Sequence, residues 1–170
     1  MKKPLVALSA ALWLAGCAGT GGSPTATTKL EPRSDSKVAG NVTFTQAGDM
    51  VRITGEITGH TPGTKGWHIH EKGDCSDPKA MSTAGHFNPR GHKHGAPTAA
   101  ERHAGDLGNI EFNGQGTATI NVTVGGISVS KDTPDGIIGR ALIIHMAADD
   151  LKTDPTGNAG GRAACGVIQG

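Results

Sequence analysis

GWHIHEKGDC, residues 66–75, places His68 and His70 two positions apart, with Ile69 between them and Cys75 five residues on. On a helix, side chains at i and i+2 diverge. On a β-strand they share a face. The spacing therefore predicts a strand that projects two imidazoles side by side and turns Ile69 into a core. Paired imidazoles beside a cysteine are a metal-binding or redox arrangement.

Strand periodicity extends in both directions. ATTKLE, ending before Pro32, reads as a first strand. Val42 and Phe44, then Val51, Ile53 and Ile57, alternate on either side of a QAGD turn, which predicts a hairpin. GTATINVTVG alternates through Ala118, Ile120, Val122 and Val124, GRALIIHMA is a short apolar run, and AACGVIQ closes the chain. No stretch carries a long 3.6-residue apolar period. The pattern is that of an all-β antiparallel sandwich or barrel. Phe44, Phe87 and Phe112 read as core, and Met146 points away from the face of His145.

Composition agrees: 170 residues with 27 glycines, 3% aromatics and no tyrosine suit many short elements joined by turns. A formal net charge of +1 gives no electrostatic footprint for nucleic acid. The first seventeen residues, MKKPLVALSAALWLAGC, have two lysines, an apolar run from Pro4 to Leu14 and small residues before Cys17. That is an export signal too short to span a bilayer. LAGC resembles the bacterial lipoprotein box, which implies cleavage after residue 16 and lipid on Cys17. Loss of Lys2 and Lys3 leaves 14 basic against 15 acidic residues, a formal net charge of −1. The expected organisation is signal peptide 1–16, flexible tether 17–24 and folded domain 25–170. With Cys17 lipidated, Cys75 and Cys165 remain as one pair in an oxidising compartment, where a disulfide is the default.

The interval from Cys75 to Asn109 shows no strand period and carries four of the eight histidines: His86, His92, His94 and His103. A loop of this length inside a small domain is functional or disordered, and a metal can hold it down. With Asp106, and with His68, His70 and His145 outside it, the donor set is imidazole plus one carboxylate. That set suits copper, zinc or both, and excludes thiolate zinc and iron–sulfur sites.

GWHIHEKGDC, AGHFNP (84–89), KHGAPTAAERHAGDLGNI (93–110), GRALIIHMAADD (139–150) and TGNAGGRAACGVI (156–168) together resemble the copper,zinc superoxide dismutases, in that family's order. The resemblance runs from about Thr25 to the C-terminus and includes the bacterial lipoprotein form. It implies an eight-stranded Greek-key barrel or sandwich with a long metal-binding loop and a shorter second loop. It implies copper held by His68, His70, His86 and His145, and zinc held by His86, His94, His103 and Asp106, with His86 bridging. Asp149 would bond one ligand of each metal, His68 and His94. Arg162 would draw the superoxide anion to the copper, and Cys75–Cys165 would fix the loop beside it.

The implied reaction is dismutation of superoxide to oxygen and hydrogen peroxide, protecting the cell envelope. Dismutation needs a one-electron metal, which copper is and zinc is not. The implied protein is lipid-anchored, in the outer membrane facing the periplasm because Ala18 and not aspartate follows Cys17, and a possible homodimer. The alternative is a non-enzymatic copper- or zinc-binding module on the same fold. His60, at a turn, reads as solvated, and His92 as a surface residue. LKTDPT, residues 151–156, is short, so no steering residue beyond Arg162 is assigned.

Overall fold

A computed structural model of the chain describes residues 22–170; the expected signal peptide, Cys17 and most of the expected tether lie outside the described residues. Eight strands follow in order: β1 Thr25–Pro32, β2 Ala39–Ala47, β3 Met50–Thr58, β4 Gly63–His70, β5 Asp106–Phe112, β6 Thr117–Gly125, β7 Ala141–His145 and β8 Arg162–Val167. Their order in the sheet is β5-β4-β7-β8-β1-β2-β3-β6. Each neighbouring pair is antiparallel. The sheet curls into a nearly closed barrel whose seam falls between β5 and β6.

Alternation decides what each strand buries. Val42, Phe44, Val51, Ile53, Ile57, Trp67, Ile69, Phe112, Ile120, Leu142 and Ile144 form one interior cluster. On β4 and β7 the opposite face is covered too, by loops, so these strands are buried throughout their second halves. There Ala141 and Ile143 pack with Ala80 and Cys165 under the Cys75–Cys165 disulfide. Its Cα atoms lie 5.8 Å apart across a sequence separation of 90. The disulfide predicted from the cysteine count is present.

Three expectations are corrected. The segment taken as loop up to Asn109 already turns into β5 at Asp106. Gly105, Gly108 and Asn109 obscure its alternation, and a bulge between Gly66 and His68 shifts its register. Val122 shares the phase of Ala118 and Ile120 but is 39% exposed, because β6 is the last strand of the sheet. His60 is not solvated: it is 8% exposed, with its ring 4.9 Å from that of Phe112.

Two long connections position the site. One joins β4 to β5 and contains a short 3-10 turn at Met81–Thr83. The other joins β7 to β8. Both fold over the outer face of β4, where the two imidazoles project. Gly157, with φ +61, lets the second connection come close: a Cβ there would stand 2.0 Å from Asp149 Oδ1 and 2.6 Å from His94 Nε2.

Candidate metal centre

β4 carries His68 and His70, and β7 ends on His145, so cross-strand pairing brings the three together on one face. His86 joins them from the long connection through a single bridge to His70. Its ring stacks on His68 at 4.0 Å between centroids. His94 and His103 come from the same connection, and Asp106 opens β5. These seven residues are all buried. They form two groups, His68/His70/His86/His145 and His86/His94/His103/Asp106, each with donor atoms within 4.8 Å of one another and His86 common to both.

In the first group, every ring has one nitrogen committed to an acceptor. His68 Nε2 donates to Asp149 Oδ2 at 2.7 Å, and His70 Nδ1 to the Ala84 carbonyl at 2.9 Å. His86 Nδ1 donates to Asp106 Oδ1 at 2.8 Å, and His145 Nδ1 to the Gly160 carbonyl at 3.2 Å. The other four nitrogens, His68 Nδ1 and Nε2 of His70, His86 and His145, are buried and have no hydrogen-bond partner. Four imidazole lone pairs thus face one another inside the protein. Buried polar atoms are rarely left so. An all-imidazole set of lone pairs fits a copper ion.

In the second group, Asp106 Oδ1 sits 2.8 Å from His86 Nδ1, 3.0 Å from His94 Nδ1 and 3.2 Å from His103 Nδ1. A tetrahedral zinc site with bonds of about 2.0–2.1 Å has ligand–ligand edges of about 3.3 Å. The residues fit that ion. Gly95 and His103 donate backbone N–H groups to Asp106 Oδ2, so the carboxylate is fixed at both oxygens.

Asp149 ties the groups together, accepting from His68 on one oxygen and from His94 Nε2 on the other at 2.9 Å. Asn109 holds the backbone of Asp149 in both directions. Electrostatics follow from burial and these bonds. Burial pushes His70 and His145 well below the usual imidazole range, and the neighbouring imidazoles add to the effect. Burial lowers His86 to about 4, against the pull of Asp106. Burial would also lower His94, but its bonds to Asp106 and Asp149 outweigh that and raise it to about 9. Burial works against both carboxylates, yet their histidine partners hold Asp106 and Asp149 well below the usual carboxylate range.

A cavity lined by His70, His86, His145, Lys79, Asn158 and Arg162 opens onto the first group. Arg162 faces it but also has a structural task that the sequence reading did not assign. Its Nη1 donates to the Ala80 carbonyl and to Thr83 Oγ1, and its Nη2 to the Ala84 carbonyl. Ala80 and Ala84 have φ of 56° and 62°, so the guanidinium holds a strained turn. His92 stays outside both groups, its backbone bonded to Asn88. Asp154 was not singled out from the sequence. Its Oδ1 accepts the His94 backbone N–H at 2.7 Å and lies 3.6 Å from His103 Nε2. Only the folding of the second connection over the first brings it there.

The family model described as copper/zinc superoxide dismutase matches residues 38–168. That for the prokaryotic membrane lipoprotein lipid attachment site matches residues 1–18, which supports anchoring in the cell envelope. The solved structure of the clock protein EA4 is similar over 89% of this chain and 97% of its own, with 44% identity and a TM-score of 0.79. With two histidine-rich clusters sharing one residue, and a family match that spans most of the barrel, the chain belongs to the copper/zinc superoxide dismutase family.

Proposed function

We propose that the protein is a superoxide dismutase of the cell envelope: two superoxide anions and two protons give one oxygen and one hydrogen peroxide. The observation that carries this reading is the convergence of four unpartnered, buried imidazole nitrogens beside a cavity that His70, His86, His145 and Arg162 line. In it, His68, His70, His86 and His145 hold copper, and His86, His94, His103 and Asp106 hold zinc. Bound copper supplies one-electron cycling between two states, which zinc does not.

The residues do the rest. Arg162 has five N–H groups and spends three on the turn. Two remain for a diatomic anion, and the guanidinium stays charged at any working pH. His86, anchored at Nδ1 in the second cluster, is placed to hold and release a proton at Nε2 beside the cavity. Asp149 keeps His68 and His94 in the tautomers that present Nδ1 to their clusters. The disulfide and the hydrogen bonds of Arg162 keep the turn at the cavity mouth in place.

The same reading assigns residues 1–16 as signal peptide, lipidated Cys17 with 17–24 as tether, and 25–170 as the catalytic domain. The anchor would hold it in the outer membrane, facing the periplasm, as Ala18 after Cys17 favours. The test is superoxide consumption by protein loaded with copper and zinc, beside His145→Ala. The variant should lose copper and activity and keep zinc. A wild-type protein that binds both metals and consumes no superoxide would be a metal-binding module instead.

A further inference from the structure

Resting on that functional reading, we infer that His60 is a positioning residue for the copper site, fixing the peptide of His145 by a hydrogen bond to its carbonyl.

The end of β7 needs such a hold. Its pairing with β4 stops at Trp67–Ile144, and its pairing with β8 shifts register between Ile144 and His145. Beyond that point three successive carbonyls are caught one by one from the β4 side. His60 Nε2 reaches the His145 carbonyl at 3.1 Å, Lys65 Nζ the Met146 carbonyl at 3.3 Å, and the Gly66 N–H the Ala147 carbonyl at 2.9 Å. The His145 carbonyl belongs to the residue whose Nε2 faces the cluster.

A carbonyl accepts only, so the bond to His145 needs the proton on Nε2. Nδ1 lies 3.2 Å from both the hydroxyl and the carbonyl oxygen of Thr61. The ring rests on Phe112. His60 sits in the β3–β4 turn, behind the site and away from its cavity, so it touches neither metal donors nor substrate. The His145 ring is otherwise oriented only at Nδ1, by the Gly160 carbonyl. Beside the backbone pairing of His145 with Arg162 and the Met146 N–H bond to the Gly161 carbonyl, these two bonds fix the carbonyl and the turn of the ring. Partners that orient a ligand in this way typically govern about 10–100-fold in metal affinity.

The experiment uses the full-length protein and measures copper affinity by chelator competition, the copper(II) electron paramagnetic resonance spectrum, zinc content and metal-free melting temperature. His60→Leu fills the space without a donor; His60→Met does the same with a more adaptable chain and stands in if the leucine variant does not fold. His60→Gln keeps a donor for the carbonyl and an acceptor for Thr61. The expected result is copper affinity weakened about 10–100-fold and a shifted copper spectrum in the apolar variants, with zinc unchanged and most of the loss recovered by His60→Gln. An apolar variant with wild-type copper affinity and spectrum overturns the inference, whatever its melting temperature, leaving His60 as packing alone. A glutamine variant as impaired as the leucine one overturns it too. Wild-type protein that takes up no copper would instead overturn the functional reading.

Discussion

Arg162→Ala separates two tasks carried by one side chain. Three of its N–H groups hold Ala80, Thr83 and Ala84, two of which have positive φ. A hydrogen bond involving a charged group contributes about 1.5–3 kcal/mol, but these are only part-buried, and the freed carbonyls can turn to water. The disulfide at Cys75 also still restrains the connection. The net loss should therefore be about 2 kcal/mol, less than the sum of the three bonds. At about 2–4 °C per kcal/mol for a domain of this size, the melting temperature should fall by about 4–8 °C. The electrostatic effect is separate. Whether the formal charge is the +1 of the whole chain or the −1 that the proposed cleavage would leave, it attracts no anion appreciably, so attraction must be local. Focused fields raise on-rates by about 10–1000-fold, and removing the one guanidinium at the cavity should slow the reaction about tenfold at low salt. The assay is the second-order rate of superoxide decay by pulse radiolysis across ionic strength, with metal content measured on the same samples. The wild-type rate should fall as salt rises, since the screening length shrinks to about 10 Å at 0.1 M. Arg162→Ala should be slower and flatter with salt. Arg162→Lys should keep the salt dependence and lose part of the thermal stability, because an ammonium cannot span the three acceptors. A wild-type rate and slope in Arg162→Ala would refute the attraction; an unchanged melting temperature would refute the clamp.

Other perturbations have equally definite outcomes. His86→Ala should weaken both metals and abolish any bridged copper–zinc signature in the copper(II) spectrum; full activity without it would exclude a bridging role. In metal-free protein the lowered values of His70, His86 and His145 make folding oppose protonation. The unfolded chain binds those protons below about pH 6.5. The contribution of these three should therefore be intact above that pH and fall from there toward pH 4, seen as a declining urea midpoint, while His94, raised to about 9, adds stability that is lost as pH rises from about 6.5 through 9; a flat profile between about pH 6.5 and 4 contradicts the burial argument. Cys75 and Cys165 should resist alkylation until reduced, and closing a loop of 90 residues should contribute up to about 4–5 kcal/mol on the chain-entropy model. Cys17→Ser should move the protein from the membrane to the soluble fraction, and continued membrane association would refute lipid anchoring.

The period-two pattern was legible where one face of a strand meets the core and the other does not, and it located the β2–β3 hairpin and β6 from residues alone. β7, buried along its whole length, was legible only as a short apolar run. His68 and His70 were legible for the same reason, since a strand dictates that positions two apart share a face. The donor chemistry of the loop was legible in its residue types, and motif order tied them to a family. The start of β5 was not legible: strands buried on both sides and broken by a bulge lose their alternation, and glycines carry no pattern. Nor were the second tasks of residues whose types suggest one. Arg162 looks like a free cation until Ala80, Thr83 and Ala84, some eighty residues away, fold beneath it. His60 looks like a turn residue until Phe112 covers its ring and the end of β7 offers it a carbonyl. A residue's own chemistry travels with the sequence, whereas its hydrogen-bond partner is chosen by packing between segments distant along the chain, and only the folded barrel makes that choice.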